Sequence, residues 1–147
     1  MTFDKFTIKA QEVVQEAVNT AQRQGQQSIE PVHLLKGVLA KAKDVATFIF
    51  QKLGVNAAQV ETVVDSEVQR LPRVQGGQPY LSNDANTVLQ RAQDFAQKNG
   101  DEFTSVEPIL LALLQVNSTA SRILKDAGMT EADTVKAIQE LRQGQKV

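Results

Sequence analysis

A segment near the start of the chain is repeated in the second half, and this duplication constrains the fold more than any other feature. Ser28-Ile29-Glu30-Pro31 returns as Ser105-Val106-Glu107-Pro108, 77 residues later (105 − 28). The flanking segments match at offsets of 75 and 74, judged from paired glycines at 25 and 100 and at 54 and 128. The offset changes only where loops are expected, so the pattern predicts two homologous units of about half the chain each. Two such units packed together leave a pseudo-symmetric seam, a frequent place for binding.

Apolar residues recur with helical spacing in both units, and strand-like alternation is absent. The first stripe runs at i, i+4, i+7, i+8, i+11, i+12 and i+15: Phe6, Ala10, Val13, Val14, Ala17, Val18 and Ala21. Capping residues mark the starts of these stretches, and glycines mark their ends. The sequence therefore predicts an all-α fold, an eight-helix bundle of two pseudo-twofold-related four-helix repeats. The apolar residues of the first, sixth and seventh helices span about 6–21, 109–114 and 121–127, and the second and third helices are expected near 31–39 and 44–53. The fourth is expected from a cap at Asn56 through Val68, the fifth from a cap at Ser82 to Gly100, and the eighth from Thr130 through Leu141.

The 147 residues are predicted to form one domain. Repeat one covers about 6–70 and repeat two about 81–142. A connector at 71–80 contains two prolines and the pair Gly76-Gly77. After Leu141 the chain reads as polar and is expected to contribute nothing to the core, with 143–147 as the start of a linker.

The composition excludes several classes of function. Sixteen Lys and Arg against seventeen Asp and Glu give a net charge of −1, which argues against a nucleic-acid footprint. There is no cysteine, so disulfides and thiolate-bound metals are excluded. Neither a signal peptide nor an apolar run of membrane-spanning length is found. The sequence predicts a soluble, cytoplasmic protein that binds neither nucleic acid nor membrane.

No arrangement of residues indicates an active site. A phosphate-binding loop is missing, and Gly76-Gly77 is interpreted as a flexible turn. His33 is the only histidine and has no second His, Cys or nearby Asp, so a packed or surface role is favoured over catalysis or metal binding. The acidic pair Asp101-Glu102 is typical of a solvated or capping loop. We therefore expect no enzymatic activity and no cofactor in this segment.

An apolar binding surface is the remaining candidate. Phe95, Phe103 and Pro108 lie around the loop between the fifth and sixth helices. Aromatic residues make up only 5% of the chain, so several near one loop stand out. Two interpretations stay open: the rings belong to the core, or some are exposed as a partner site.

These features resemble the Clp repeat domain, two copies of which form the N-terminal domain of Clp and heat-shock AAA+ ATPases. The resemblance covers nearly the whole chain and depends on five features: Phe6-Thr7, Gly25, Glu30-Pro31-x-His33-Leu34-Leu35, Leu71-Pro72 and Glu107. Within this family the chain is most similar to the ClpB-type disaggregases. That second similarity depends on the segments Phe3–Thr7, Leu71–Gly76 and Leu141–Val147.

The resemblance implies a domain tethered ahead of two ATPase modules, where ATP and Mg²⁺ would bind. It implies that the whole protein is a hexamer that threads aggregated polypeptides through a pore and works with the DnaK chaperone system, whereas the isolated domain is a monomer. The domain itself would bind unfolded or aggregated chains and aid their delivery to the pore. The alternative, taken from protease-linked relatives, is an adaptor-docking domain. A coiled-coil insertion or a protease-binding loop in the downstream sequence would distinguish the two.

The resemblance also supplies candidate substrate-binding residues. The family's functional positions correspond to Thr7, Asp101 and Glu107, although these residue types also suit helix caps. Relatives have an apolar groove beside helix five, matched here by Phe95 and Pro108. Arg91 stands at a groove position that is leucine in a bacterial relative, which changes the depth or selectivity of the groove. The expected site is Thr7, Arg91, Phe95, Asp101, Phe103, Glu107 and Pro108.

Overall fold

Eight helices and two very short strands make up the part of the chain that the computed structural model describes, residues 2–143 and 145–147. The strands are β1 (Ser28–Ile29) and β2 (Tyr80–Leu81). The all-α, eight-helix prediction is confirmed. In chain order the helices are α1 (Ile8–Arg23), α2 (Pro31–Lys41), α3 (Lys43–Leu53), α4 (Ala57–Arg70), α5 (Asn83–Lys98), α6 (Val106–Gln115), α7 (Thr119–Asp126) and α8 (Glu131–Arg142).

Side-chain caps fix several helix starts. The hydroxyl oxygens of Thr7 and Ser82 accept hydrogen bonds from the third amide of their helices, at 3.1 and 3.0 Å. These two positions are equivalent in the duplication, so both repeats begin their first helix in the same way. The expected start of α7 at residue 121 was wrong by two residues, because Ser118 caps the helix and exchanges hydrogen bonds with Ser121.

The connector contains a strand that the sequence did not predict. β2 pairs in parallel with β1, and the Tyr80 amide donates to the carbonyl of Gln27 at 2.9 Å. A single parallel bridge between Phe6 and Thr104 lies in the corresponding place of the duplication and joins the start of repeat one to repeat two. Two-residue strands are too short to show alternation in a sequence, which is why no strand was expected.

The repeats are interlocked across the seam. Within each repeat the first helix packs on the second, α1 on α2 and α5 on α6. The third helix of each repeat, however, packs on the fourth helix of the other: α3 on α8 and α7 on α4. The two repeats therefore share one hydrophobic core. At its centre α6 is buried at nine of its ten residues, Val106–Leu114.

Gly37 permits the closest approach between α1 and α2. A Cβ atom at this position would lie 2.3 Å from the carbonyl oxygen of Val13 on α1. The Gly37→Ala variant is expected to lose about 1–3 kcal/mol of stability in urea denaturation, because backbone must move to admit the methyl group. Helix propensity alone predicts the opposite, a gain of up to about 1 kcal/mol. Ala40→Gly, at an exposed site on the same helix, measures that propensity; stabilisation by Gly37→Ala would disprove the clash.

Candidate functional site

A groove of about 410 Å³ with an apolar floor lies in the second repeat. It lies between the last turn and a half of α5, the first half of α6 and one face of α8. Its apolar floor is formed by Phe95, Pro108, Leu111, Val135 and Ile138.

Helical periodicity brings these side chains to one place. Val135, Ile138 and Arg142 follow each other at i, i+3 and i+7 and so share a face of α8. Pro108 and Leu111 are three residues apart on α6 and are both buried. Phe95 and Val135 are only half-buried, which leaves apolar area accessible in the groove.

The rim of the groove is polar. Six side chains of this kind surround the apolar floor: Lys98, Asn99, Glu131, Gln139, Gln145 and Lys146. An apolar floor with a polar rim is typical of a site that buries apolar groups while its edge stays hydrated.

A buried ionic cluster, here called the Arg142 cluster, supports one end of the groove. The Nη1 of Arg142 donates to Oδ2 of Asp101 at 2.6 Å, and its Nε donates to Oε1 of Glu107 at 3.0 Å. Its Nη2 donates to Oγ of Ser105 at 2.6 Å. The side chain of Asp101 is 0% exposed, and those of Arg142 and Glu107 are 10% exposed. Burial would lower the pKa of Arg142, but the hydrogen bonds and charges of both carboxylates outweigh it and raise that pKa.

The cluster corrects the expectation that nothing after Leu141 contributes to the core. Arg142 still belongs to α8 and extends its inward face. Farther on, the Val147 amide donates to Oδ1 of Asp101 and its carbonyl accepts from the Phe103 amide, both at 3.0 Å. Residues 145–147 therefore lie against the loop that follows α5. Gly144, also assigned to the linker, is outside the described residues.

The structure separates the expected site residues into three groups. Phe95 and Pro108 line the groove, while Asp101 and Glu107 belong to the Arg142 cluster beside it. Arg91 lies in an adjoining depression.

Thr7 and Phe103 do not line the groove. Thr7 caps α1, and its amide donates to the carbonyl of Thr104 at 2.9 Å. Phe103 is half-buried, with the Nζ of Lys5 5.8 Å from its ring centre.

Sequence reasoning missed several groove residues: Leu111, Val135, Ile138 and Arg142. The three apolar ones fit a core stripe equally well, so periodicity alone could not distinguish them from core residues. Arg142 was assigned to the end of repeat two but given no role. Its spacing of four from Ile138 was a usable signal, because it continues the inward face of α8.

The first repeat has a neutral counterpart of the Arg142 cluster. Gln26, 75 residues before Asp101, donates from Nε2 to the carbonyl of Val68 near the end of α4. Its Oε1 lies 2.7 Å from Nε2 of the wholly buried His33, whose Nδ1 accepts from the Glu30 amide at 2.9 Å. Each repeat thus ties the loop after its first helix to the end of its fourth. His33 is a packed residue in this network.

The groove itself has no such counterpart in sequence. The positions equivalent to Phe95 and Val135, at offsets of 75 and 74, hold Thr20 and Glu61. A hydroxyl and a carboxylate there would not form an apolar floor. The duplication has therefore diverged at these positions.

Among the described residues, none of the helices is both long and apolar enough to span a bilayer. In the same part of the chain, no group of three or more His, Asp or Glu side chains is placed to hold a metal ion.

A family model described as the Clp repeat (R) N-terminal domain matches residues 5–127. The chain therefore belongs to the Clp repeat N-terminal domain family, as its doubled motif predicted. Among curated proteins, the chaperone protein ClpB of Bacteroides thetaiotaomicron is 58% identical over all 147 residues, and that of Porphyromonas gingivalis is 46% identical over the same length. The chain spans 17% of each of these relatives and corresponds to their N-terminal region.

The fold agrees with that assignment. The Hsp104 N-terminal domain from Candida albicans superposes with a TM-score of 0.83, covering 97% of this chain and 95% of that one at 24% sequence identity. At this identity the likeness concerns the fold alone.

Proposed function

We propose that this chain binds exposed apolar segments of unfolded or aggregated polypeptides for a ClpB-type disaggregase. The observation that carries the proposal is the groove, whose apolar floor includes the half-buried side chains of Phe95 and Val135. An unfolded client has no fixed shape and offers mainly apolar side chains and free backbone. A groove with an apolar floor and a hydrated rim suits such a ligand.

The energetics favour weak capture. Burying apolar surface contributes about 25 cal/mol per Å². Ordering a flexible client opposes much of that gain, so binding is expected to be weak and quickly reversible. Rapid release is useful if the client must pass to a motor.

The remaining roles follow from the relatives and belong to this proposal. We propose a non-catalytic domain without a cofactor of its own, in a cytoplasmic protein whose ATPase modules bind ATP and Mg²⁺. The whole protein would be hexameric and would cooperate with a DnaK-type chaperone system, and the isolated domain would be monomeric. Adaptor docking, the alternative raised from the sequence, has no observation of its own to favour it.

The test is client binding by Phe95→Asp. The carboxylate would occupy the groove floor, and loss of the ring should weaken binding of reduced, carboxymethylated casein about tenfold or more. NMR titration of the labelled domain measures this affinity. Val135→Asp is a second replacement, on the α8 side of the groove, in case Phe95→Asp fails to fold.

Ile8→Asp is the matched control. Ile8 is 76% exposed on α1 and does not line the groove, so this variant should bind casein as the wild type does. Circular dichroism establishes that each variant is folded. Unchanged casein binding by folded Phe95→Asp and Val135→Asp would refute the groove as the client site.

A further inference from the structure

A second depression adjoins the groove. It has a volume of about 500 Å³, and Glu131 lines both concavities. Its floor includes Leu114 and Met129, each 2% exposed, while Arg91 and Lys125 are exposed at its edge. The two concavities together form one longer surface. The apolar floor around Phe95 lies at one end, and Arg91 and Lys125 lie at the other.

Arg91 is held over this surface without an ionic partner. Its Nη1 donates to Oε1 of Gln115 at 3.3 Å, and Nε2 of Gln115 in turn donates to Oε1 of Glu131. A neutral amide therefore orients the guanidinium but leaves its charge uncompensated. Within the described residues, neither Arg91 nor Lys125 has a carboxylate within ion-pair distance.

The longer surface has a net positive charge, whereas the rest of the chain has a net negative charge. Four cationic side chains line it outside the Arg142 cluster: Arg91, Lys98, Lys125 and Lys146. Against them stand Glu131 and the net −1 of the cluster, which contains two carboxylates and one guanidinium. The balance is about +2, although the whole chain has a net charge of −1. Asp94 and Asp133, on α5 and α8, line neither concavity.

The distance between Arg91 and Phe95 indicates which kind of ligand could contact both. Arg91 and Phe95 are four residues apart on α5, which separates them by about 6 Å along the helix axis. An extended polypeptide covers that distance in about two residues. This inference rests on the function proposed above. We propose that the groove prefers apolar client segments with an acidic residue two positions from the apolar side chain that enters it.

A charge-swap experiment tests the preference. Two fluorescein-labelled peptides each have a single central leucine, and they differ only in having Asp or Lys two residues before and two residues after it. The charged residue stands on both sides because the direction in which the peptide binds is not fixed. At about 50 mM salt the full domain should bind the Asp peptide about fivefold more tightly than the Lys peptide, as expected for one or two exposed charge pairs. Fluorescence polarisation measures both affinities.

Arg91→Glu should abolish or reverse this preference. Lys9→Glu makes the same change in net charge on α1, away from both concavities, and should leave the preference intact. Moving the two Asp residues to five positions from the leucine should also remove it. High salt should bring the two affinities together.

The possible failures are distinguishable. Equal affinities for the two peptides, with Phe95-dependent casein binding intact, would overturn the acidic preference and leave the groove in place. An equal loss of preference in Lys9→Glu would overturn the role of Arg91, because only overall charge would then matter. Absence of any Phe95-dependent binding, to peptides or to casein, would remove the proposed function and the preference together.

Discussion

Replacing Arg142 with methionine is expected to lower the free energy of unfolding by about 3–5 kcal/mol at neutral pH, the usual cost of removing one partner from a buried ion pair. The variant leaves the carboxylates of Asp101 and Glu107 buried without their cation. It also leaves the Ser105 hydroxyl without the guanidinium. Urea denaturation followed by circular dichroism measures the loss.

A matched arginine shows what the same substitution costs at the surface. Arg70 ends α4 as Arg142 ends α8, but its side chain is 72% exposed and its bond to Glu67 lies in solvent. Arg70→Met should therefore cost less than about 0.5 kcal/mol. A similar small loss in Arg142→Met would show that the Arg142 cluster is effectively solvated.

A neutral cluster should recover most of the stability. Asp101→Asn and Glu107→Gln, combined with Arg142→Met, remove both uncompensated charges while keeping the side chains close to their original size. Replacing every member of a buried ion pair is often close to neutral, whereas breaking the pair is costly. Failure of the triple variant to regain stability would mean that lost packing or lost hydrogen bonds of the guanidinium, and not charge, account for the loss.

Local signals in the sequence were sufficient for the elements. Thr7, Ser82 and Asn56 are of residue types that suit helix starts, and each accepts the amide hydrogen bond typical of a cap. Such caps involve residues three apart, so the information is contained in one short segment. The duplication then indicated that the two halves share one order of helices.

Contacts between distant segments were not predictable in this way. α3 packs on α8 and α7 packs on α4, so both contacts join helices of different repeats. An apolar stripe shows which face of a helix is buried but not which helix covers that face. Arg142 illustrates the same limit, because its partners Asp101 and Glu107 are 41 and 35 residues away. An arginine side chain is usually solvated, and only the folded arrangement shows this one buried.

The candidate site was partly predictable for the same reason. Phe95 and Pro108 stood out as apolar residues beside a polar loop, and both line the groove. Val135 and Ile138 on α8 were expected only as a core stripe. A groove forms where three helices leave a gap, and periodicity describes one helix at a time.

Acidification is expected to cause a large loss of stability through protonation of His33 in the first repeat. Its Nδ1 accepts the Glu30 amide proton, so the neutral ring carries its proton on Nε2 and donates it to Gln26. A second proton would break the bond to Glu30. Burial, only partly opposed by the charge of Glu30, lowers the pKa of His33 from 6.5 to about 4.

Because the unfolded chain binds the proton more readily, His33 stabilises the fold fully above pH 6.5 and loses this contribution as the pH falls to about 4. The predicted loss between pH 7 and pH 4 is about 3 kcal/mol from this one group. His33→Gln is the informative variant, since glutamine at this third helical position can still accept the Glu30 amide bond but does not titrate. Urea denaturation at the two pH values measures the loss of stability of each protein. The difference between the two losses is the contribution of His33. If the stability of His33→Gln falls as much as that of the wild type, the buried neutral histidine is not the source of the acid sensitivity.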